Sequence, residues 1–505
     1  MRLKTLGVLM MSALFLAGCG GGAGSFAPQA PNTTGSTPTS FHKSFRDAVR
    51  SGDLKPVCAQ TRQPGRAHCV AFELTSSGRA AAAAMMRATG ARGAAAMYAH
   101  VKSALPQGYG PSDLQAAYNL TGAAKKNGNG ALIAIVDAYD DPLIESDLAV
   151  YRKMYGLSPC TTANGCFKKV NQNGRSGPLP TLPPADIPGE SGWTIETALD
   201  VDMVSANCPN CKILLVETND DFMNNLAAGV NAAASFNPVA ISNSYVSQEQ
   251  PTDPLPASQG GYLSFYTHPG IAVVAGAGDY GYDWNVFPAD GYGDPAVAYG
   301  PLIPASFPTV VTAGGTTLTP DGSRRGFSET AWGGTGSGCS DYEPMPPWQQ
   351  ADANCYGTYT SQNGSTSRYP TRIYTDVAYD ADGYTGVAMY ESDGQLGGNN
   401  WGVMGGTSVA SPAIAAIYGL AGYGQPGDRD QYTYPFPAQK LYRSNALYDV
   451  LAGTNGDCTS VPPEDMPVPA PPAPPPPCSD SMLFTGGPGY DGPTGNGTPN
   501  GIGAF

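Results

Sequence analysis

Between Ala131 and Ala313 the chain repeats one pattern, a short aliphatic run followed by a turn and a segment of helical periodicity. The runs are Ala131-Leu-Ile-Ala-Ile-Val136, Lys212 to Glu217, Val239 to Ser244, Ile271 to Ala275 and Pro308 to Ala313. Predicted helices over Asp141 to Tyr155, over Asp221 to Ser235 and in a segment ending near His268 lie between them. Strands without apolar and polar alternation are buried on both faces, and strands separated by helices close into a parallel sheet through crossovers. The expected fold is therefore α/β, a doubly wound, mostly parallel sheet with helices on both faces. Ligands should meet such a sheet at the C-terminal ends of its strands.

The flanks have other textures. Arg2, Lys4, the apolar run Leu6 to Ala17 and the sequence Leu16-Ala17-Gly18-Cys19 predict an export signal over residues 1–19. Small residues before a Cys are similar to a bacterial lipobox, in which Cys19 would be acylated; an ordinary signal peptide cut nearby is the alternative. Residues 20–41, rich in Gly, Ser, Thr, Pro and Ala, read as a flexible linker. Residues 42–107, with an Ala-rich stretch from Ser77 to Ala104, read as a small helical pro-region or spacer. The folded domain is expected over 108–505, interrupted by a Pro-rich excursion at 459–477. No later apolar stretch is long enough to span a bilayer, so a membrane is expected only through a lipid anchor. The expected location is outside the cytoplasm, on a bacterial cell envelope or secreted.

Composition narrows the partners. A formal charge of -14 repels phosphate backbones, which argues against nucleic acid. Of the 11 Cys, ten besides Cys19 fall into close pairs: Cys58 with Cys69, Cys160 with Cys166, Cys208 with Cys211, Cys339 with Cys355, and Cys458 with Cys478. An even set of local pairs in an exported chain reads as disulfides. Cys208-Pro-Asn-Cys211 is also compatible with a redox motif or half a zinc site, although no second CxxC or His cluster accompanies it.

The segment Gly405-Gly-Thr-Ser408-Val-Ala-Ser-Pro412 opens a helix, Val409 to Ala421, that is apolar all round. Ser408 thus stands at a buried helix N-terminus, where free amides and the dipole favour an oxyanion. Locally it reads equally well as a helix cap or as a nucleophile. A nucleophile needs a base, and the chain's four His are His42, His68, His100 and His268. None lies in a Gly-rich turn opening a helix, so carboxylates become the candidates. On the predicted helix Thr194 to Ala206, Ile195, Leu199 and Met203 form an apolar stripe, and Glu196 and Asp200 stand at i and i+4 on one face. Two close carboxylates share a proton and titrate as a unit, unless they are simply solvated surface acids. Asp279 follows Ile271-Ala-Val-Val-Ala-Gly-Ala-Gly, which delivers it to a strand's C-terminal edge; there it could donate to an oxyanion if protonated, or cap a turn.

Together these segments resemble the sedolisin family, the serine-carboxyl peptidases. The likeness rests on Glu196-Thr-Ala-Leu-Asp200, Ala206-Asn-Cys-Pro-Asn-Cys-Lys-Ile213, Ala275-Gly-Ala-Gly-Asp279, Pro304-Ala-Ser-Phe-Pro308, Ala313-Gly-Gly-Thr316 and Gly406-Thr-Ser408 with Pro412. It covers about residue 108 to the C-terminus, where Tyr109-Gly-Pro-Ser-Asp-Leu-Gln-Ala-Ala-Tyr118 is similar to the opening of the family's catalytic domain. The resemblance implies a subtilisin-like fold and peptide hydrolysis through an acyl-enzyme at acid pH. It assigns Ser408 as nucleophile, Glu196 as general base and acid, Asp200 as the group that orients Glu196, and Asp279 as oxyanion donor. Asp137 falls where the family often has an acid behind the triad.

The resemblance also implies a single structural calcium ion (Ca2+), held by the carboxylates of Asp449 and Asp491 and carbonyls of Val450, Gly487 and Gly489. Expected partners are protein or peptide substrates, and a monomer is expected. Two competing readings remain at this point: a Ser-His-Asp subtilase using His268 and Asp137, and a non-catalytic surface-binding lipoprotein on a peptidase scaffold.

Overall fold

The computed structural model describes residues 44–58, 63, 65–88, 106–185, 187, 189–282, 286–287, 297–298, 301–349, 355–360, 366–396, 400–422, 437–456 and 482–505. The expected export signal with Cys19, the linker at 20–41, and the pair Cys458 and Cys478 with the Pro-rich excursion lie outside the described residues.

The aliphatic runs form the centre of an eight-stranded sheet. Its order is Phe327–Ala331, Val311–Pro320, Ala272–Gly276, Ala240–Asn243, Leu132–Ala138, Lys212–Thr218 and Phe167–Asn171, with Val377–Asp380 also paired to Val311–Pro320. The pairings are parallel except at the edge, where Phe327–Ala331 runs antiparallel to Val311–Pro320. The interior strands are buried along nearly their whole length, which explains their unbroken aliphatic character.

Two predicted boundaries move. The run expected from Pro308 starts as a strand only at Val311, because Phe307 to Val310 closes a turn through the Val310 amide and Phe307 carbonyl; the strand then continues to Pro320. The helix expected before His268 is a single 3₁₀ turn, Leu263–Tyr266.

Two helices are buried on every side. In Gly192–Asn207 all residues are buried, so Glu196 and Asp200 face protein rather than solvent, and the apolar stripe is only part of a helix buried all round. Thr407–Ala421 is enclosed from Thr407 to Leu420 and packs against Gly192–Asn207 and against the strands Ala240–Asn243 and Ala272–Gly276. The bridges Cys58–Cys69, Cys160–Cys166, Cys208–Cys211 and Cys339–Cys355 are formed. The Cys208–Cys211 bridge ends the carboxylate-bearing helix and lies close beneath the other: a β-carbon on Gly419 would stand 2.8 Å from Cys211 Sγ, and one on Gly128 2.4 Å from Cys208 Sγ.

The N-terminal segment corrects the expectation of a helical spacer. It has helices at Phe45–Arg50, capped by the Ser44 hydroxyl, and at Ser76–Ala88, but between them lie strands Leu54–Pro56, His68–Cys69 and Phe72–Leu74. These strands are two or three residues long, too short to show a period, and two of them pair with partners far along the chain. His68–Cys69 runs antiparallel to Tyr245–Gln248, and Phe72–Leu74 lies antiparallel to both Leu54–Pro56 and Trp401–Gly405. Phe45, Leu54, Phe72 and Leu74 enter the same core as the central sheet. Among the described residues no helix is long and apolar enough to cross a membrane.

Candidate active site

Three adjacent strands end on polar residues at one edge of the sheet. Asp137 lies at the end of Leu132–Ala138, Ser244 follows Ala240–Asn243, and Asp279 follows Ala272–Gly276 through a turn at Gly278, whose φ is +98°. The helix Gly192–Asn207 brings Glu196 and Asp200 to this edge, and Thr407–Ala421 brings Ser408 within its first turn. All six side chains, from Asp137 to Ser408, have 0 % exposure. Four carboxyl groups enclosed together cannot all be ionised at a cost folding could meet, so protons stay on them.

The hydrogen bonds give the cluster an order. Ser244 Oγ donates to Asp200 Oδ1 at 2.7 Å, and Ser408 Oγ donates to the Ser244 carbonyl at 3.5 Å. The Ser408 hydroxyl also lies against the Glu196 carboxyl closely enough to favour its anion, although in this rotamer neither Glu196 oxygen completes a hydrogen bond. A loose contact of this kind is common between a nucleophile and its base before substrate is bound.

Burial is the first cause of every shifted acidity here. It pushes Glu196 well above the ordinary carboxylate range; the Asp137 charge adds to the rise, Ser408 eases it, and Asp279 adds again. Asp200 is raised by burial, then by Asp137 and Glu196, and eased by Ser244. Asp137 is pushed up to about 7 by burial and eased by the Thr197 hydroxyl. These three acids titrate as one system.

Asp279 is held apart from them. Burial pushes it up to about 8, against hydrogen bonds from the Thr407 amide and hydroxyl, which reach Oδ1 at 2.7 and 2.8 Å. The amide is one of the helix's orphan donors, so Asp279 does cap the helix from a neighbouring segment. Its Oδ2 is buried with no hydrogen-bond partner. Gly406, at φ +104°, lets this oxygen in: a β-carbon there would come within 2.5 Å of Oδ2. The neutral acid can therefore cap through one oxygen and donate through the other. Beside it the Ser408 amide also points outward from the helix, to the Val70 carbonyl at 2.9 Å.

The structure thus brings Ser408, Glu196, Asp200, Asp279 and Asp137 together. Local sequence reading missed Ser244, Thr407, Thr197 and the approach of Val70. Ser244 had a usable signal, since it occupies the same strand-end position that drew attention to Asp279. His268 lies before the opposite end of strand Ala272–Gly276, where its Nε2 meets the Phe265 carbonyl at 2.9 Å.

Of the expected calcium ligands, Asp491 is buried and its carboxyl is raised to about 7, first by burial and in part by the charge of Asp449. The Gly487 amide donates to Asp491 Oδ2 at 3.0 Å, and the Gly489 amide reaches both Asp449 oxygens at 3.0 and 3.2 Å. The amides rather than the carbonyls of the two glycines are the groups bonded to these carboxylates. Among the described residues no cluster of three or more His, Cys, Asp or Glu suited to a metal occurs.

No family model matches the chain. Kumamolisin from Bacillus sp. (strain MN-32) is 28% identical over 422 residues, which cover 80% of this chain and 64% of kumamolisin. Sedolisin from Pseudomonas sp. (strain 101) is 24% identical over 326 residues, 61% of this chain and 51% of sedolisin. The chain therefore spans between half and two thirds of the length of these curated relatives. Among solved structures, Pseudomonas sedolisin, a serine-carboxyl proteinase complexed with two molecules of pseudo-iodotyrostatin, superposes with a TM-score of 0.54 at 21% identity. That match covers 78% of this chain and 95% of the other, and it fixes the fold as the same α/β arrangement.

Proposed function

We propose that this chain, which belongs to the sedolisin family of serine-carboxyl peptidases, hydrolyses peptide bonds in protein or peptide substrates at acid pH through an acyl-enzyme on Ser408. The observation that carries this reading is the convergence of three functions on one gap: a hydroxyl against a buried carboxyl, a helix-end amide, and an unpartnered buried oxygen on Asp279.

In this mechanism Glu196 takes the Ser408 proton as Oγ bonds to the substrate carbonyl carbon, then returns it to the leaving amine. Asp200, fixed by Ser244, is a positioning residue beside Glu196 on the same helix. The Ser408 amide and the Asp279 carboxyl, neutral below about 8, donate to the developing oxyanion. Water then cleaves the ester and restores the hydroxyl. Asp137 shares the charge of the buried acids.

An imidazole-based mechanism lacks geometric support, since His268 is engaged at the far end of its strand. A purely binding role leaves the separate caging of Asp279 and Ser408 unexplained. Asp449, Asp491 and the Val450 carbonyl offer hard oxygen donors, and the mutual repulsion of the two carboxylates is what a calcium ion would relieve. Calcium, bound there, would supply a structural cross-link and no chemistry. Export with acylation at Cys19, and a monomeric state, belong to the same proposal on sequence grounds.

The test is digestion of an unfolded protein across acid to mildly alkaline pH by the wild type, Ser408→Ala and Glu196→Gln. Acid activity lost in both variants supports the mechanism. Activity confined to neutral pH, or unaffected by Glu196→Gln, rejects it.

A further inference from the structure

Residues 65–70 run along the candidate cleft and display what its walls accommodate. The Val70 amide donates to the Ser244 carbonyl at 3.3 Å, and the Val70 carbonyl accepts from the Ser408 amide at 2.9 Å. His68 and Cys69 pair antiparallel with Val246 and Tyr245. Further out, Ser247 Oγ donates to the Arg66 carbonyl at 2.9 Å, the Ala67 amide to the Asp221 carbonyl at 2.8 Å, and the Met223 amide to the Gly65 carbonyl at 2.8 Å. Each of these bonds engages only the backbone of residues 65–70. They set the register of an extended chain and leave the choice of sequence to its side chains.

Two of those side chains meet built walls. Val70 is 1 % exposed and packs with Val246 and Leu302 in an apolar group separate from the main core. Backbone closes the remaining side: a β-carbon on Gly276 would stand 3.1 Å from Val70 Cγ2, and one on Gly278 2.6 Å from Leu302 Cδ1. An isopropyl group fills this space, and an aromatic ring would have to displace a strand. Four residues earlier the Arg66 guanidinium lies between two acids, with Nε 2.9 Å from Asp221 Oδ2 and Nη2 2.5 Å from Glu190 Oε1, and its central carbon is 5.8 Å from the Phe222 ring centre. Asp221 follows the strand Lys212–Thr218 and Glu190 precedes the helix Gly192–Asn207, and both are buried. Burial raises both acids, Asp221 to about 6, and the guanidinium pulls both back toward their charged form. A substrate that takes over this track displaces Arg66, and it strands both acids unless it brings a cation of its own to the same place.

We propose that the cleft selects protein substrates carrying an arginine four residues before a valine and cuts them after the valine, with Asp221 and Glu190 receiving the guanidinium and Val246, Leu302 and Gly276 the isopropyl group. This names the substrate class of the peptidase reading above and rests on it. Ser408 Oγ bonds to the carbonyl carbon of the substrate valine, its proton passes through Glu196 to the nitrogen that leaves, and water hydrolyses the ester to a valine carboxylate. Lysine should serve less well than arginine, because a single ammonium does not offer two donors spaced as Nε and Nη2 are spaced toward the two acids.

The full chain is incubated at acid pH with a pool of unfolded proteins, and the cut sites are mapped by mass spectrometry. Valine before the cut and arginine four residues before that valine should both be enriched. In paired peptides, Arg over Ala at the earlier place should raise kcat/KM by about tenfold, and Val over Phe at the later place by about tenfold or more. Asp221→Asn combined with Glu190→Gln should abolish the first ratio, and Leu302→Ala should lower the second. Taking each ratio within one protein cancels whatever these changes do to residues 65–70 or to stability. Cut sites that lack enrichment at either place, an arginine ratio that survives the double variant, or a valine ratio unchanged in Leu302→Ala overturn the proposal and leave the peptidase reading standing. Where the variants do not fold, the wild-type map decides alone. A full chain that cuts no protein in the pool overturns the peptidase reading, and this selectivity with it.

Discussion

Thr407 grips Asp279 by a single oxygen, donating both its amide and its hydroxyl to Oδ1 and leaving Oδ2 buried and unbonded. An asparagine can reproduce this, with its carbonyl toward Thr407 and its amide toward the gap, whereas alanine cannot. Asp279→Asn should keep kcat at acid pH within about tenfold of wild type, while Asp279→Ala should lose about 10²–10³-fold. Asp279 donates only when protonated, so wild-type kcat should fall as pH rises through about 8, and Asp279→Asn should lack that part of the fall. A fall through about pH 8 that persists unchanged in Asp279→Asn would argue that Asp279 serves only as a helix cap.

Glu196→Gln removes the base without removing its volume. A loss in kcat of about 10²–10⁴-fold with little change in KM is expected. Asp137→Asn should act through Glu196: with that like charge gone the Glu196 carboxyl is held less far above its ordinary range, and the acid limb of the kcat profile moves to lower pH. An unchanged profile with reduced kcat would assign Asp137 a purely structural role.

Stability should fall as pH rises. Asp137 and Asp279, near 7 and 8 when folded, and the buried acids Glu249 and Glu343, near 7 and 8, all hold protons that the unfolded chain releases around pH 4. Between those values the folded state binds more protons, so the unfolding free energy declines with pH. The contribution is complete below about pH 4 and lost by about pH 8. Thermal melts at pH 4, 6 and 8 should give steadily lower Tm, and a maximum at pH 8 would contradict this account.

Calcium should raise the Tm of the wild type, and chelation should lower it, with no response in Asp491→Ala. The check is a melt with and without chelator for both proteins. A wild type indifferent to calcium would leave Asp449 and Asp491 as hydrogen-bond acceptors only, for the Gly489 amide in one case and for the Gly487 amide and Thr494 in the other.

The sheet was legible because a fully buried strand writes an unbroken aliphatic run, and the site was legible because strand ends and an i, i+4 pair of acids are local signals. Glu196 and Asp200 were found this way, but their enclosure was not. That depends on Thr407–Ala421 packing across the same face from more than 200 residues away, which no local window contains. The strands at His68 and Phe72 were illegible for the same reason, since Phe72 meets Gly405 across more than 300 residues and contributes only three residues of strand. Ser244 was overlooked for lack of a charge, although its place at a strand end was as visible as that of Asp279.

The Cys208–Cys211 bridge acts as a rigid shim between the two machines of the site. One of its sulfurs abuts Gly419 of the serine-bearing helix while the bridge itself terminates the acid-bearing one. Both contacts lie about three helical turns from Glu196 and Ser408, so the bridge fastens the far ends of the two helices and leaves the carboxyl cluster to be set by packing and hydrogen bonds. Reduction of this one bridge should loosen that distant junction first.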